Sequence, residues 1–216
     1  MLATAGCFDV HDVDPGGLLI DNFDQGAFPA DSTFQNWMCF SFNPTTNQNY
    51  SCKLDSDTLD GSAHSLRLDF QVSDRPDGIR QYGGVALTTY ATQGLYKDVT
   101  GFSGLEFDVE LASGSPQLPS DTLLQAQFGC STVQLTDGSQ PGDYYLLQST
   151  DYGIQWRRVV LSLADFSGPI ADGRQVQGGV AECLRHVDRI TFTVEENLLD
   201  GGSGAGTLKI DNVYLR

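Results

Sequence analysis

Three carboxylates stand at alternate positions in Glu106-Phe107-Asp108-Val109-Glu110, so an extended strand presents all of them on one side. Same-side acids raise one another's proton affinity, which is what acid–base and nucleophilic work on a glycosidic bond requires. The spacing limits that chemistry. Residues four apart on a regular strand lie about 13 Å apart at Cα, whereas a retaining pair needs its carboxyl groups about 5–5.5 Å apart. A second group suits recognition. Gln125 and Gln127 alternate on one strand, and Arg80, Tyr82, Tyr145, Trp156 and Arg158 sit on strands or their shoulders. Amides, carboxylates and guanidinium groups hydrogen-bond hydroxyl rims, while rings form platforms for apolar faces. Asp108 belongs to both groups. Trp37 and Tyr50, beside or inside the segment between Cys39 and Cys52, add possible platforms at the rim.

Other catalytic arrangements are missing from the sequence. It has no GxSxG elbow and no HExxH, and the glycines between Gly201 and Gly206 lack the lysine of a phosphate loop. His11, His64 and His186 are far apart. The five cysteines, at 7, 39, 52, 130 and 183, contain no CxxC spacing. Wide spacing suits disulfides in an exported protein with one thiol left over. Cys39 with Cys52 would close a short loop, and Cys130 with Cys183 would tie distant segments. Burial of all five as small hydrophobes is the alternative.

The chain that must position these groups has 216 residues, with 24 glycines and 8 prolines that call for many turns. Its 12 basic and 28 acidic side chains give a net charge of −16, which disfavours nucleic acid and anionic lipid as partners. A neutral polar ligand or a divalent cation is compatible. Residues 1–17 have no periodic pattern and read as a tether; Ala3-Thr4-Ala5-Gly6-Cys7 has the form of a lipoprotein processing site, with Cys7 as a possible membrane anchor. From Leu18 to Arg216, alternating segments separated by turn residues predict about ten strands in one domain, with Val180–His186 the one short helical stretch. The strands Ser65–Val72 and Leu105–Leu111 alternate most cleanly, the latter turning Leu105, Phe107 and Val109 inward. The fold class is all-β: a β-sandwich jelly roll of two facing antiparallel sheets.

Four segments in order carry a resemblance: Leu19-Ile20-Asp21-Asn22-Phe23-Asp24-Gln25-Gly26, Gly104–Val109, Trp156–Phe166, and Gly206–Leu215 with its Ile210-Asp211-Asn212-Val213. Together they resemble the galactose-binding-like jelly rolls, and within them the family 11 carbohydrate-binding modules and the complex-I intermediate-associated domain. The resemblance implies a polysaccharide, a β-glucan or a relative, held on a concave sheet. It implies a secreted or cell-surface bacterial protein, one that can be appended to a larger glycan-degrading enzyme. It also implies a structural calcium near the joined ends of the domain, with Asp21, Asp24 and Asp211 at the matching acidic positions. Calcium takes six to eight oxygens, and an ion shared by the first and last strands would turn binding into fold stability. Two other functions stand beside this one. The acidic run is similar to the signature of family 16 glycoside hydrolases, with Glu106 as nucleophile, Asp108 as supporting carboxylate and Glu110 as acid/base; a structural or adhesion sandwich needs no sugar at all.

Overall fold

The computed structural model describes residues 17–26, 29–31, 33–42, 51–59, 62–72, 82–89, 95–112, 124–134, 136, 145–150, 155–168, 176–195 and 204–216, with the backbone alone at 41–42, 71–72, 82–83, 145–150, 195 and 204–205. Cys7, Tyr50 and Arg80 lie outside these residues.

Among the described residues, eleven strands run in chain order: β1 (Leu18–Asp21), β2 (Phe34–Phe42), β3 (Ser51–Asp55), β4 (Ser65–Val72), β5 (Tyr82–Thr89), β6 (Gly104–Leu111), β7 (Leu124–Gly129), β8 (Tyr145–Thr150), β9 (Arg157–Ser162), β10 (Arg189–Glu195) and β11 (Gly204–Leu215). One short helix, α1 (Gly179–Arg185), falls where the sequence predicts it. The strands form two antiparallel sheets. One has the order β3-β4-β11-β6-β9, with β1 also paired to β11; the other has the order β2-β5-β10-β7-β8.

Alternation places one stripe of each strand in the space between the sheets. Leu66, Leu68, Phe70, Leu105, Phe107, Val109, Leu208 and Ile210 come from the first sheet, and Val85, Leu87, Leu124, Ala126, Phe128, Ile190, Phe192 and Val194 from the second; all are buried. Phe107 meets Phe192 edge to face across the layers, with ring centroids 4.8 Å apart. Trp37 stacks on the other side of Phe192 at 6.0 Å.

The apolar residues of β11 recur at 208, 210, 213 and 215, so the step from 210 to 213 breaks a strict period of two. Asn212 absorbs the extra residue. Its φ is 48°, and the pairing with β6 shifts between Asp211 and Tyr214. Asparagine tolerates this left-handed conformation better than most residues. Its side-chain amide then donates to Asp108 Oδ2 at 3.0 Å.

Disulfides join Cys39 to Cys52 and Cys130 to Cys183, with Cα atoms 5.7 and 5.3 Å apart. The first ties β2 of one sheet to β3 of the other; the second ties the end of β7 to α1. Loop-closure entropy for their separations corresponds to about 3 and about 4 kcal/mol.

The bulge predicts an asymmetric response at position 212. Asn212→Gly keeps the backbone angle and loses the hydrogen bond to the buried Asp108 carboxylate, for a cost of about 2 kcal/mol. Asn212→Val adds a strained β-branched residue and should cost about 3 kcal/mol in urea unfolding. Equal costs would show that the positive φ carries no energetic weight.

Candidate functional site

The two sheets turn opposite kinds of surface outward. On the six-stranded sheet, the acidic run of β6 points away from the core, but each acid meets a cation from a neighbouring strand. Arg158 of β9 grips Asp108 through two bonds of 3.0 and 3.1 Å, and lies 3.5 Å from Glu106. Arg216 grips Glu106 through two bonds of 2.8 Å and stacks over Tyr214 at 4.5 Å. Lys209 pairs with Glu110 and with Asp57. Arg67 bridges Asp55 and Asp69 further along the same face. The Arg216 bonds hold the Glu106 carboxyl below its ordinary range. Burial pushes Glu110 up, against the pull of Lys209. The mutual elevation that a catalytic trio would show is therefore absent at Glu106, and its oxygens are spent on Arg216.

The five-stranded sheet is different. Its outward residues align in rows across the strands: Phe40, Gly84, Thr193 and Gln125 in one, and Met38, Ala86, Thr191 and Gln127 in the next. None of these eight is charged; Arg189 stands one row beyond, opposite Thr88. Side-chain size changes systematically along each row. Met38 and Phe40 on β2 form an apolar wall, with Met38 52% exposed. Gly84 and Ala86 on β5, then Thr193 and Thr191 on β10, all four buried, form a low floor about two strand spacings, or roughly 10 Å, wide. A Cβ at Gly84 would come within 2.0 Å of the Phe192 carbonyl oxygen, so this position admits glycine alone. Gln125 and Gln127 on β7 form the opposite wall, the Gln127 amide donating to Gln125 Oε1 at 3.2 Å. That bond leaves one amide N–H and the carbonyl oxygen of Gln127 for a further partner. The Thr193 hydroxyl is buried and meets no hydrogen-bond partner. An unsatisfied buried hydroxyl costs about 1–3 kcal/mol.

The residues singled out in the sequence are thus divided between the two faces. Gln125 and Gln127 line the trough, and the backbones of Tyr82 (β5) and Tyr145 (β8) belong to the same sheet. Asp108, Arg158 and the half-buried Trp156 belong to the other sheet, so they cannot share a groove with the glutamines. Trp37, a candidate rim platform, is instead a core residue, 8% exposed, whose indole N–H donates to Asp21 Oδ2 at 2.9 Å. The inside of the sandwich needs its bulk between Phe23 and Phe192. Met38, Phe40, Ala86, Thr191 and Thr193 escaped the sequence reading, although their alternation with Trp37, Val85, Phe192 and Val194 was there to see.

Asp21 at the end of β1, Asp24 in the turn after it and Asp211 on β11 flank the seam where β1 pairs with β11. Asp24 accepts from Ala63 N at 2.5 Å and Asp211 from Ser62 Oγ at 3.0 Å, so these two converge on adjacent residues. Asp21 turns to Trp37 and to Phe23 N. Among the described residues, no three His, Cys, Asp or Glu side chains stand close enough together to hold a metal ion. An ion at the seam would draw on Asp24 and Asp211, with hydroxyl and carbonyl oxygens completing its shell.

Comparison with solved structures gives the fold. The chain matches the family 11 carbohydrate-binding module of a cellulosomal cellulase of Clostridium thermocellum at 14% identity, with a TM-score of 0.58 over 93% of this chain and 94% of that one. It matches the Clostridium thermocellum module solved with a β-1,3-1,4-mixed-linked tetrasaccharide at 15% identity, with a TM-score of 0.59 over 93% and 95%. A solution structure of a module of this family matches at 16% identity, with a TM-score of 0.60 over 94% and 96%. No protein-family model and no curated protein sequence matches the chain. The fold is the β-sandwich of carbohydrate-binding modules, as the sequence motifs imply.

Asp21 generates a prediction. Burial, outweighing the bonds from Phe23 and Trp37, raises its pKa from 3.8 to about 6. Between those values the folded protein keeps a proton that the unfolded chain has released, so this group's contribution to stability falls as pH rises through the window. In chelator-treated protein, Asp21→Asn should flatten that loss between pH 4 and pH 7; thermal melts with the same pH slope in both proteins would refute the assignment.

Proposed function

We propose that this chain binds an uncharged polysaccharide, a β-glucan or a close relative, in the trough of the five-stranded sheet, without cleaving it. The uncharged trough carries the reading: in a chain of net charge −16, the eight described residues forming its walls and floor bear no charge. A pyranose has apolar ring faces and a hydroxyl rim. Met38 and Phe40 suit the former, and Gln127, held by Gln125, suits the latter. The sandwich shared with family 11 modules supports the same reading, one of those modules having been solved with a mixed-linked tetrasaccharide. The disulfides suit an extracellular site of action. Hydrolysis by Glu106, Asp108 and Glu110 gains nothing from the geometry, because each acid is bound to a cation.

Affinity gels and calorimetry over a panel of glucans, mannans and xylans test the proposal. Retention on at least one neutral polymer is expected, with no reducing ends released. Gln127→Ala should weaken binding by about two- to tenfold, the worth of one or two hydrogen bonds, and Met38→Ala should weaken it by a similar factor. Arg158→Met, on the opposite face, should destabilise the fold and leave affinity unchanged. Silence across the panel, or release of sugar that depends on Glu106, would defeat the proposal.

Calcium at the Asp24–Asp211 seam is part of the proposal. The convergence of two carboxylates on Ser62 and Ala63, where the first and last strands meet, supports it. Chelation should then lower the melting temperature by several degrees, and an unchanged melt would remove the ion from the account.

A further inference from the structure

We propose that the Cys39–Cys52 disulfide is a redox-sensitive latch on the trough: a dithiol reductant opens it in the folded protein and weakens ligand binding, while Cys130–Cys183 stays closed. The affinity part of this inference rests on the binding proposed above; the selective opening does not.

Position and exposure carry it. Cys39 lies between Met38 and Phe40, the two residues of the apolar wall, and its side chain points the opposite way from theirs. Its strand, β2, is the edge of the five-stranded sheet and pairs only with β5. Its first half is anchored in the core by Phe34 and Trp37, and beyond Trp37 the disulfide ties Cys39 to Cys52 on β3, itself the edge of the six-stranded sheet. β3 is five residues long, none of them buried, and pairs only with β4. The bond therefore links the two sheets across one side of the sandwich, between two edge strands.

Access separates the two disulfides. Cys39 is exposed and Cys52 partly so, whereas Cys130 and Cys183 are both 0% exposed. Exchange needs a thiolate in line with a disulfide sulfur, so the folded protein admits a reagent to the first and shields the second. A thiolate of the dithiol attacks one sulfur and forms a mixed disulfide, and the other cysteine leaves as a thiolate and takes up a proton. The second thiol of the reagent then closes its own disulfide and releases the remaining cysteine. Two electrons pass from dithiol to protein, leaving two cysteine thiols. β2 then keeps its pairing with β5 and the core packing of Phe34 and Trp37, but the wall at Met38 and Phe40 loses its tie to β3.

The test treats the oxidised full chain with limiting dithiothreitol, alkylates it, and maps the modified peptides. Alkylation at Cys39 and Cys52 before Cys130 and Cys183 is expected, with faster hydrogen exchange in β2 and β3 and a melt that stays cooperative. Affinity for the glycan found in the panel should fall about fivefold, return on re-oxidation, and be equally low in a Cys39→Ser, Cys52→Ser double variant. Reduction of Cys130–Cys183 first or at the same time overturns the latch, as does opening of Cys39–Cys52 with unchanged exchange and affinity. If the oxidised chain binds no glycan, the sugar reading and the affinity claim fail together, while alkylation order and exchange still decide whether the bond opens the edge.

Discussion

The asparagine bulge in β11 keeps the longest strand of the protein facing one way. β11 has β4, β6 and β1 as neighbours, so an error of parity there would propagate through most of one sheet. A slip of a single residue reverses every side chain beyond it. With Asn212 in the left-handed region, Leu208 and Ile210 before the bulge and Val213 and Leu215 after it all reach the core. Asp211 stays outward beside the seam, and Tyr214 stays outward beneath Arg216.

From that frame follows a division of electrostatic labour. The outer face of the six-stranded sheet collects acids and gives them arginine and lysine partners from neighbouring strands. Asp108 is fully buried and would be costly without Arg158 and Asn212. The five-stranded sheet carries its described rows of threonine, glutamine, alanine and methionine without charge. Paired ions rigidify one surface and offer little to a neutral ligand. The two described rows of the other surface offer amide and hydroxyl groups without charge, which is the physical basis of the proposal that recognition lies there. The two disulfides divide similarly, one deep between β7 and α1, the other at the rim where two edge strands meet.

Much of this was legible in the order of residues. The strict alternation of Leu105 to Leu111, the inward stripe of β7 and the short helix near Val180 were correctly readable because a half-buried strand imposes a period of two locally, whatever its neighbours. The bulge was also written there, in the spacing of 208, 210, 213 and 215, and passed unnoticed inside a segment read as one regular strand. Trp37 misled for a different reason. A tryptophan near a loop suits a rim or a core equally well, and the presence of Phe23, Phe192 and a buried aspartate around it is a matter of contacts distant in sequence.

Alternation specified which side of each strand faces inward, since that depends only on the residue and its immediate neighbours. It did not specify which sheet a strand joins. β6 and β7 follow one another in the chain yet lie in opposite layers, so the outward residues Asp108 and Gln125, alike by pattern, end on opposite surfaces of the molecule. Strand order is fixed by pairing between segments as far apart as β2 and β5 or β6 and β11, and by the fit of Phe107 against Phe192 across the core. Only those long-range contacts decided which polar residues meet in one trough and which are spent on holding the other sheet together.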